Sequence, residues 1–257
     1  VDMILLTVLK GKLKVLLVKR KDHPFIHDWA MPGGFVNFDE DLDTAMKREL
    51  EEETNLFDST YFRQLYTFGN ADRDPRTRVI TTVYLSMTPA ENIKMTSAGD
   101  DAMDTGWFTI QKITTTSDGY ERKSVLMLDE EEKGIHLRYE IYDTACDNYV
   151  QTRSKLLDSS NAKLAADHIK AINMAIDVVR NRAASTGIMF NLLPKECTLR
   201  EIQEVYEAIV NHPVDTGNFR RDIKKMLVAT GSTTIVNGRK VATYSFNPLL
   251  PFVKETL

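Results

Sequence analysis

Eight acidic side chains crowd residues 39–53: Asp39, Glu40, Asp41, Asp43, Glu49, Glu51, Glu52 and Glu53, set against Lys47 and Arg48. The stretch from Asp41 to Glu53 contains neither Gly nor Pro and reads as a helix. At roughly 100° per residue, Leu42, Ala45, Met46 and Leu50 define its buried arc. Glu49 and Glu53 fall within that arc, Glu52 lies at its edge, and Glu51 faces water. Burying like charges is costly, and the C-terminal end of a helix disfavours anions. Arg48 is expected to neutralise one carboxylate, so a divalent cation accounts better for the three. Carboxylates without His or Cys select a hard, oxygen-binding ion, Mg²⁺ or Mn²⁺. Such an ion acts on phosphates and on the water that attacks them.

Other residues fit the same chemistry. Gly33-Gly34 lets the backbone approach a ligand closely. Arg73, Arg76 and Arg78 surround Pro75, and three guanidinium groups in one loop suit a pyrophosphate. Surface ion pairs with Asp72 and Asp74 are the plain alternative. Asp100 and Asp101, ahead of Trp107, are candidates for a late carboxylate at the site. His23 and His27 are separated by Pro24 and do not read as a pair. A second cluster has the opposite sign: residues 217–240 carry Arg220, Arg221, Lys224, Lys225, Arg239 and Lys240 against Asp222 alone. A basic cluster of this kind points to phosphate, or to a solvated face.

These side chains need elements to hold them. Met3–Leu9 and Leu13–Val18 read as a hairpin around Lys10-Gly11-Lys12. Strands are expected at Tyr61–Phe68, Val79–Met87 and Gly106–Phe108, giving a mixed α/β layer around the acidic helix. Val125–Leu128, Ile135–Tyr142 and Tyr149–Leu156 read as a β-meander inserted at about 112–160. A helix is expected at Ala162–Ala184. Met189–Leu193 reads as a short strand. Thr198 with Glu201 forms a capping box, and Leu199, Ile202, Val205, Tyr206 and Ile209 line the buried side of that helix. A second helix is expected over Asn218–Val228. Thr233–Val236 and Val241–Phe246 then flank Asn237-Gly238, a strong hairpin signal. Two helices followed by a hairpin make a winged helix-turn-helix layout, so residues 1–186 and 187–257 are expected to be separate domains.

Gly34, five residues, Glu40, seven residues and then Arg48-Glu49-Leu50-Glu51-Glu52-Glu53-Thr54-Asn55-Leu56 resembles the Nudix box. One position departs from it: Asn55 stands where that family has Gly, and Asn tolerates the left-handed backbone next best. The resemblance implies an α/β/α Nudix sandwich with a mixed sheet. It implies that Glu49, Glu52 and Glu53 are metal ligands and catalytic residues, that Gly33 lies with the metal site, and that Arg48 orients the carboxylates. Glu40 would support them, and Gly34, Arg73, Arg76, Arg78 and Asp101 would meet the substrate.

Leu192-Leu193-Pro194, Thr198–Glu207 and Asn218-Phe219-Arg220-Arg221 are similar to the tail of a Nudix subgroup ending in a winged helix. Its members include ADP-ribose-sensing transcriptional repressors of NAD metabolism. The implied activity is Mg²⁺-dependent cleavage of a nucleoside diphosphate-linked compound, ADP-ribose to AMP and ribose 5-phosphate. The alternative is a nucleotide-sensing, DNA-binding regulator with little hydrolysis. In either case a homodimer is expected, contacting duplex DNA through Arg220, Arg221, Lys224, Lys225, Arg239 and Lys240.

The composition agrees with a folded chain. Of 257 residues, 42% are hydrophobic and 27% charged, which excludes disordered and low-complexity classes. No stretch approaches the roughly 18 apolar residues of a membrane helix, and no secretory leader is visible. Cys146 and Cys197 lie far apart without ligand-like spacing, which fits the reducing cytoplasm.

Overall fold

A computed structural model describes residues 1–54, 61–93, 102–147 and 149–247. Strands β1 (Asp2–Leu9) and β2 (Lys12–Arg20) form the expected hairpin. Lys10 and Gly11 at its tip both take positive φ, 51° and 70°, as a two-residue turn between twisted strands requires. Next come β3 (Trp29–Ala30), α1 (Leu42–Thr54), β4 (Tyr61–Phe68) and β5 (Thr81–Met87). Four long strands follow: β6 (Ala102–Ser117), β7 (Glu121–Glu130), β8 (Ile135–Cys146) and β9 (Tyr149–Leu156). They share one mixed sheet in the order β4-β5-β1-β2-β6-β7-β8-β9, with β3 on β2. Only β1 and β5 run parallel among the described pairs. The strand expected at Gly106–Phe108 is thus the middle of a much longer one, which pairs with β2 at one end and β7 at the other.

Alternation along β1 explains the layering. Met3 and Leu5 face α1 through Met46 and Leu50. Ile4 and Leu6 face the other way, into the larger core. There α2 (His168–Ala183) buries Ile169, Ile172, Ile176 and Val179 against Leu126, Leu128, Leu137 and Ile141. The result is an α/β/α sandwich, and the meander strands are continuous with its sheet.

The helix expected from Ala162 begins later, at His168. Residues 163–165 instead run beside β3, with Trp29 N–H donating to Lys163 O (3.0 Å) and Ala165 N–H to Trp29 O (2.8 Å). Backbone bonds to a neighbouring strand outcompete helix propensity there. Leu42, assigned to the buried arc of α1, is 39% exposed, because the inward face of this helix centres on Ala45, Met46 and Glu49.

The tail is a winged helix packed on the same core. The segment expected as a strand at Met189–Leu193 is a 3₁₀ helix, Gly187–Leu192, started by the Thr186 hydroxyl accepting from Ile188 N–H. Its apolar run lacks polar alternation, so Ile188, Met189 and Leu192 are buried together. Helix α3 (Leu199–Val210) carries the complete capping box and ends at Asn211 in the left-handed conformation. Helix α4 (Thr216–Ile223), capped by Asp215, stops five residues short of Val228. A 3₁₀ turn at Lys224–Met226 then delivers Leu227 into β10 (Leu227–Val236), paired antiparallel with β11 (Arg239–Phe246). Two bonds between Cys197 and Tyr244 tie this hairpin to the start of α3. Among the described residues no helix is long and apolar enough to cross a membrane.

An ion network joins α2 to the sheet and the tail. Lys112 of β6 is buried and holds both oxygens of Asp177 (2.6 and 2.8 Å). Arg122 bridges Asp177 and Asp143. Arg180 donates to Lys112 O and, at 2.9 Å, to Ile209 O in the last turn of α3. Removing one partner of a buried pair leaves an uncompensated charge. Asp177→Ala should therefore destabilise the protein by about 3 kcal/mol, low in the range for such losses because Asp177 is partly exposed. Replacing Lys112 by Met in that background should recover most of the loss, as read by denaturant unfolding. Equal stability of the single and double variants would count against a buried ammonium.

Candidate active site

Helix α1 is preceded by Asp41, whose carboxylate accepts from Thr44 N–H in the first turn (2.8 Å). Tyr84 of β5 donates to Asp43 (2.6 Å) and fixes the first turn to the sheet. With that rotation set, Glu49 is buried, Glu53 half-buried, and Glu51 and Glu52 exposed. Arg48 lies between them. Its guanidinium donates to both oxygens of Glu40 (2.6 and 3.1 Å), to Glu49 (2.7 Å), to Glu52 (3.2 Å) and to Phe35 O (3.1 Å). Arg48 carries one positive charge, yet its planar five-donor fork reaches three carboxylates at once, Glu40, Glu49 and Glu52. Its hydrogen bonds, helped by Asn37 N–H, hold the Glu40 carboxyl down at about 2.

Gly34 is dictated by this arrangement. A Cβ there would overlap the Glu49 carboxylate. A Cβ at Gly33 would overlap Val1 O and stand 2.8 Å from Asp2 Cα. The glycine pair is therefore threaded between β1 and α1, where no side chain fits.

The donor chemistry fits a hard divalent cation: every nearby ligand is a carboxylate oxygen, and the acids outnumber the one arginine. Among the described residues, however, no three acids or imidazoles already stand converged on one point. A cation shared by Glu49 and Glu52 would compete with Arg48 Nη1, which bridges the two.

Beside Gly33 and Gly34 opens a cavity of about 350 Å³, walled by Phe35, Arg73, Arg76, Ile80 and His168 among others. The three loop arginines have three different fates. Arg73 is 7% exposed and paired with Asp167 (2.9 Å), the residue that precedes α2. Arg76 pairs with Asp74 (2.8 Å) and lies 6.0 Å over the Phe35 ring. Arg78 donates to Gly69 O and does not line the cavity. The plain reading, ion pairing within the loop, therefore holds for Arg76 and Asp74, with Arg76 still on the cavity wall. Asp100, Asp101 and Asn55 lie outside the described residues.

Sequence reasoning missed His168, Phe35 and Arg20, all on the cavity wall. His168 Nδ1 accepts from Met31 N–H (2.9 Å), so the proton of the neutral ring sits on Nε2. Burial pushes its pKa down. A lone histidine at a helix start gives no signal of this, because its partner lies 137 residues away.

In the tail, Phe219, Ile223 and Met226 are buried. Arg220, Arg221, Lys224 and Lys225 are exposed opposite them. Arg221 is restrained by Asn218 and Asp222, both at 3.0 Å. Arg239 and Lys240 are exposed beside the hairpin turn at Asn237-Gly238, whose φ values are 49° and 75°.

Comparison with known proteins gives two family matches: NUDIX domain over residues 1–128, and NrtR DNA-binding winged helix domain over residues 189–246. The chain is similar to the ADPR responsive transcriptional repressor NtrR of Acinetobacter baylyi, 27% identical over 96% of this chain and 80% of that protein. It is 36% identical to an ADP-ribose pyrophosphatase of Methanocaldococcus jannaschii over 42% of this chain and 62% of that protein. The crystal structure of Shewanella oneidensis NrtR with a 27mer DNA superposes with a TM-score of 0.64 at 25% identity, covering 96% of this chain and 92% of that one.

The Arg48–Glu40 contact has a pH signature. Folding lowers the Glu40 pKa from its ordinary 4.5 to about 2, so the folded state binds fewer protons in that window. This contribution to stability is complete above pH 4.5 and is lost as pH falls toward 2. Glu40→Gln should remove that part of the acid sensitivity in denaturant titrations between these pH values. Parallel stability curves for the two proteins would show that Glu40 is not held this way.

Proposed function

Because the chain joins a Nudix domain to an NrtR-type winged helix domain, we propose that it is a cytoplasmic hydrolase of ADP-ribose or a closely related nucleoside diphosphate compound. Water attacks one phosphorus, the bridging P–O bond breaks, and AMP and ribose 5-phosphate leave. The observation that carries this reading is the gathering of Glu40, Glu49 and Glu52 around Arg48, under Gly34 and beside a cavity with Arg73 and Arg76 in its wall. A Mg²⁺ or Mn²⁺ ion, held by Glu49, Glu52 and Glu53 with Gly33 alongside, would supply neutralising charge at the phosphates and a more acidic water. Arg48 orients Glu49 and Glu52, and Glu40 in turn fixes Arg48. Gly34 keeps the backbone close without displacing Glu49. Arg76 and the Phe35 ring form the wall that would face the substrate, and Arg73, braced by Asp167, lends positive charge to that wall.

Glu52 is exposed and outside the core, so Glu52→Gln should leave the fold intact. AMP release from ADP-ribose and Mg²⁺ should fall at least about 100-fold, the upper range for losing even an outer partner of a metal site. Unchanged turnover would remove this mechanism.

The tail supports a second reading, a DNA-binding regulator whose ligand is the same nucleotide. Its observation is the exposed basic surface of α4 and the hairpin tip, borne on a winged helix similar over its length to NrtR. We propose a homodimer that binds a two-fold duplex site, with Arg220, Arg221, Lys224, Lys225, Arg239 and Lys240 toward the phosphates. No AMP from ADP-ribose and Mg²⁺, together with DNA binding, would favour this reading over hydrolysis. Replacing Arg220, Arg221, Lys224 and Lys225 by Ala should flatten the salt dependence of DNA binding by up to about four units. Hydrolysis should be untouched, and a wild type that shifts no DNA at low salt would overturn the assignment.

A further inference from the structure

A second cavity has a volume of about 620 Å³. Lys19, His27, Asp28, Trp29, Lys133 and Lys163 line it, and it shares none of its lining residues with the cavity beside Gly34. The segment 163–165, bonded to Trp29, contributes Lys163 to this cavity and Ala165 to the other. We propose that this cavity binds a phosphorylated sugar.

Two kinds of unused polar group meet there. The backbone of Lys19 is paired with β3 and β6, while its ammonium has no hydrogen bond or ion pair among the described residues. The Lys163 side chain is 60% exposed, and its one ion pair among the described residues is a loose 3.5 Å contact with Asp28 Oδ2. Lys133 is held at the rim by Asp104 and Thr105 O. Two ammonium groups lining one hollow, one unpaired and one only loosely paired, suit a phosphate dianion. Asp28 supplies the opposite character. It is 7% exposed, and its Oδ2 is buried without a hydrogen-bond partner. A buried carboxylate oxygen whose nearest donor is an ammonium 3.5 Å away, outside good hydrogen-bond geometry, is under-satisfied. Water or a ligand hydroxyl would relieve it, whereas a second phosphate would be repelled. Cations at the mouth and a hydroxyl acceptor in the wall together describe a ligand with a phosphate at one end and hydroxyls at the other.

The test is calorimetric titration of the full chain with ribose 5-phosphate, glucose 6-phosphate and inorganic phosphate. The wild type should bind at least one sugar phosphate more tightly than inorganic phosphate. Lys19→Ala with Lys163→Ala should weaken sugar-phosphate binding by about tenfold or more, with an unchanged circular dichroism spectrum. Asp28→Asn should weaken the sugar phosphates while inorganic phosphate binds no worse. Asp28→Asn also keeps the side-chain shape, so it guards against misfolding as the cause. None of the three residues belongs to the proposed hydrolytic machinery, so AMP formation from ADP-ribose should persist in every variant. Absence of binding by the wild type at millimolar concentration would overturn the proposal. So would binding that survives in the double lysine variant but is lost in Arg76→Ala, which would put the ligand in the other cavity.

Discussion

The Arg48 guanidinium is the contact on which the site depends. Three carboxylates near the end of one helix repel each other, and the helix dipole adds to the penalty. Glu49 is also buried. One guanidinium, donating to Glu40, Glu49, Glu52 and Phe35 O, offsets part of these costs and sets where those three acids point. A lysine could not do this, because a compact ammonium lacks the planar fork that spans three acceptors. The same contacts fix the loop before α1: Glu40 accepts from Asn37 N–H while it grips Arg48. Phe35 O is drawn to the guanidinium as well, so loop and helix are held as one body.

Behind that site, α2 is shared by everything else. Its 16 residues span about 24 Å. Asp167, just before its first turn, is paired with Arg73 on the cavity wall, and His168 accepts the Met31 N–H. Near its other end Arg180 caps the carbonyl of Ile209 in α3. Between these points its apolar face is part of one core that continues into Ile202, Ile209, Phe219 and Ile223 of the tail. The wall of that cavity and the winged helix thus both pack against α2 or the residue before it.

The basic surface illustrates a general balance. Phe219, Ile223 and Met226 bury one side of α4 and its 3₁₀ extension. With the apolar positions taken by the core, the arginines and lysines between them have only solvent to face. Burial on one side therefore orients charge on the other.

Local codes were legible in the sequence. The spacing of Glu49, Glu52 and Glu53, the Thr198–Glu201 capping box, the Asn237-Gly238 turn and the β1–β2 hairpin each depend on residues a few positions apart, so the chain carries its own instruction. Elements whose form depends on distant partners were not. Residues 163–165 pair with Trp29 instead of extending α2, and Gly187–Leu192 coils instead of extending as a strand. Arg73 turned out to serve Asp167, 94 residues away, and Arg78 to serve Gly69. His168 became part of a cavity only because Met31 is brought beside it. Sequence by itself determined which side chains could carry charge, cap a helix or turn a corner. The tertiary structure decided which charges meet and which stay free, because that choice rests on contacts and desolvation that exist only once the sheet and α2 have closed on each other.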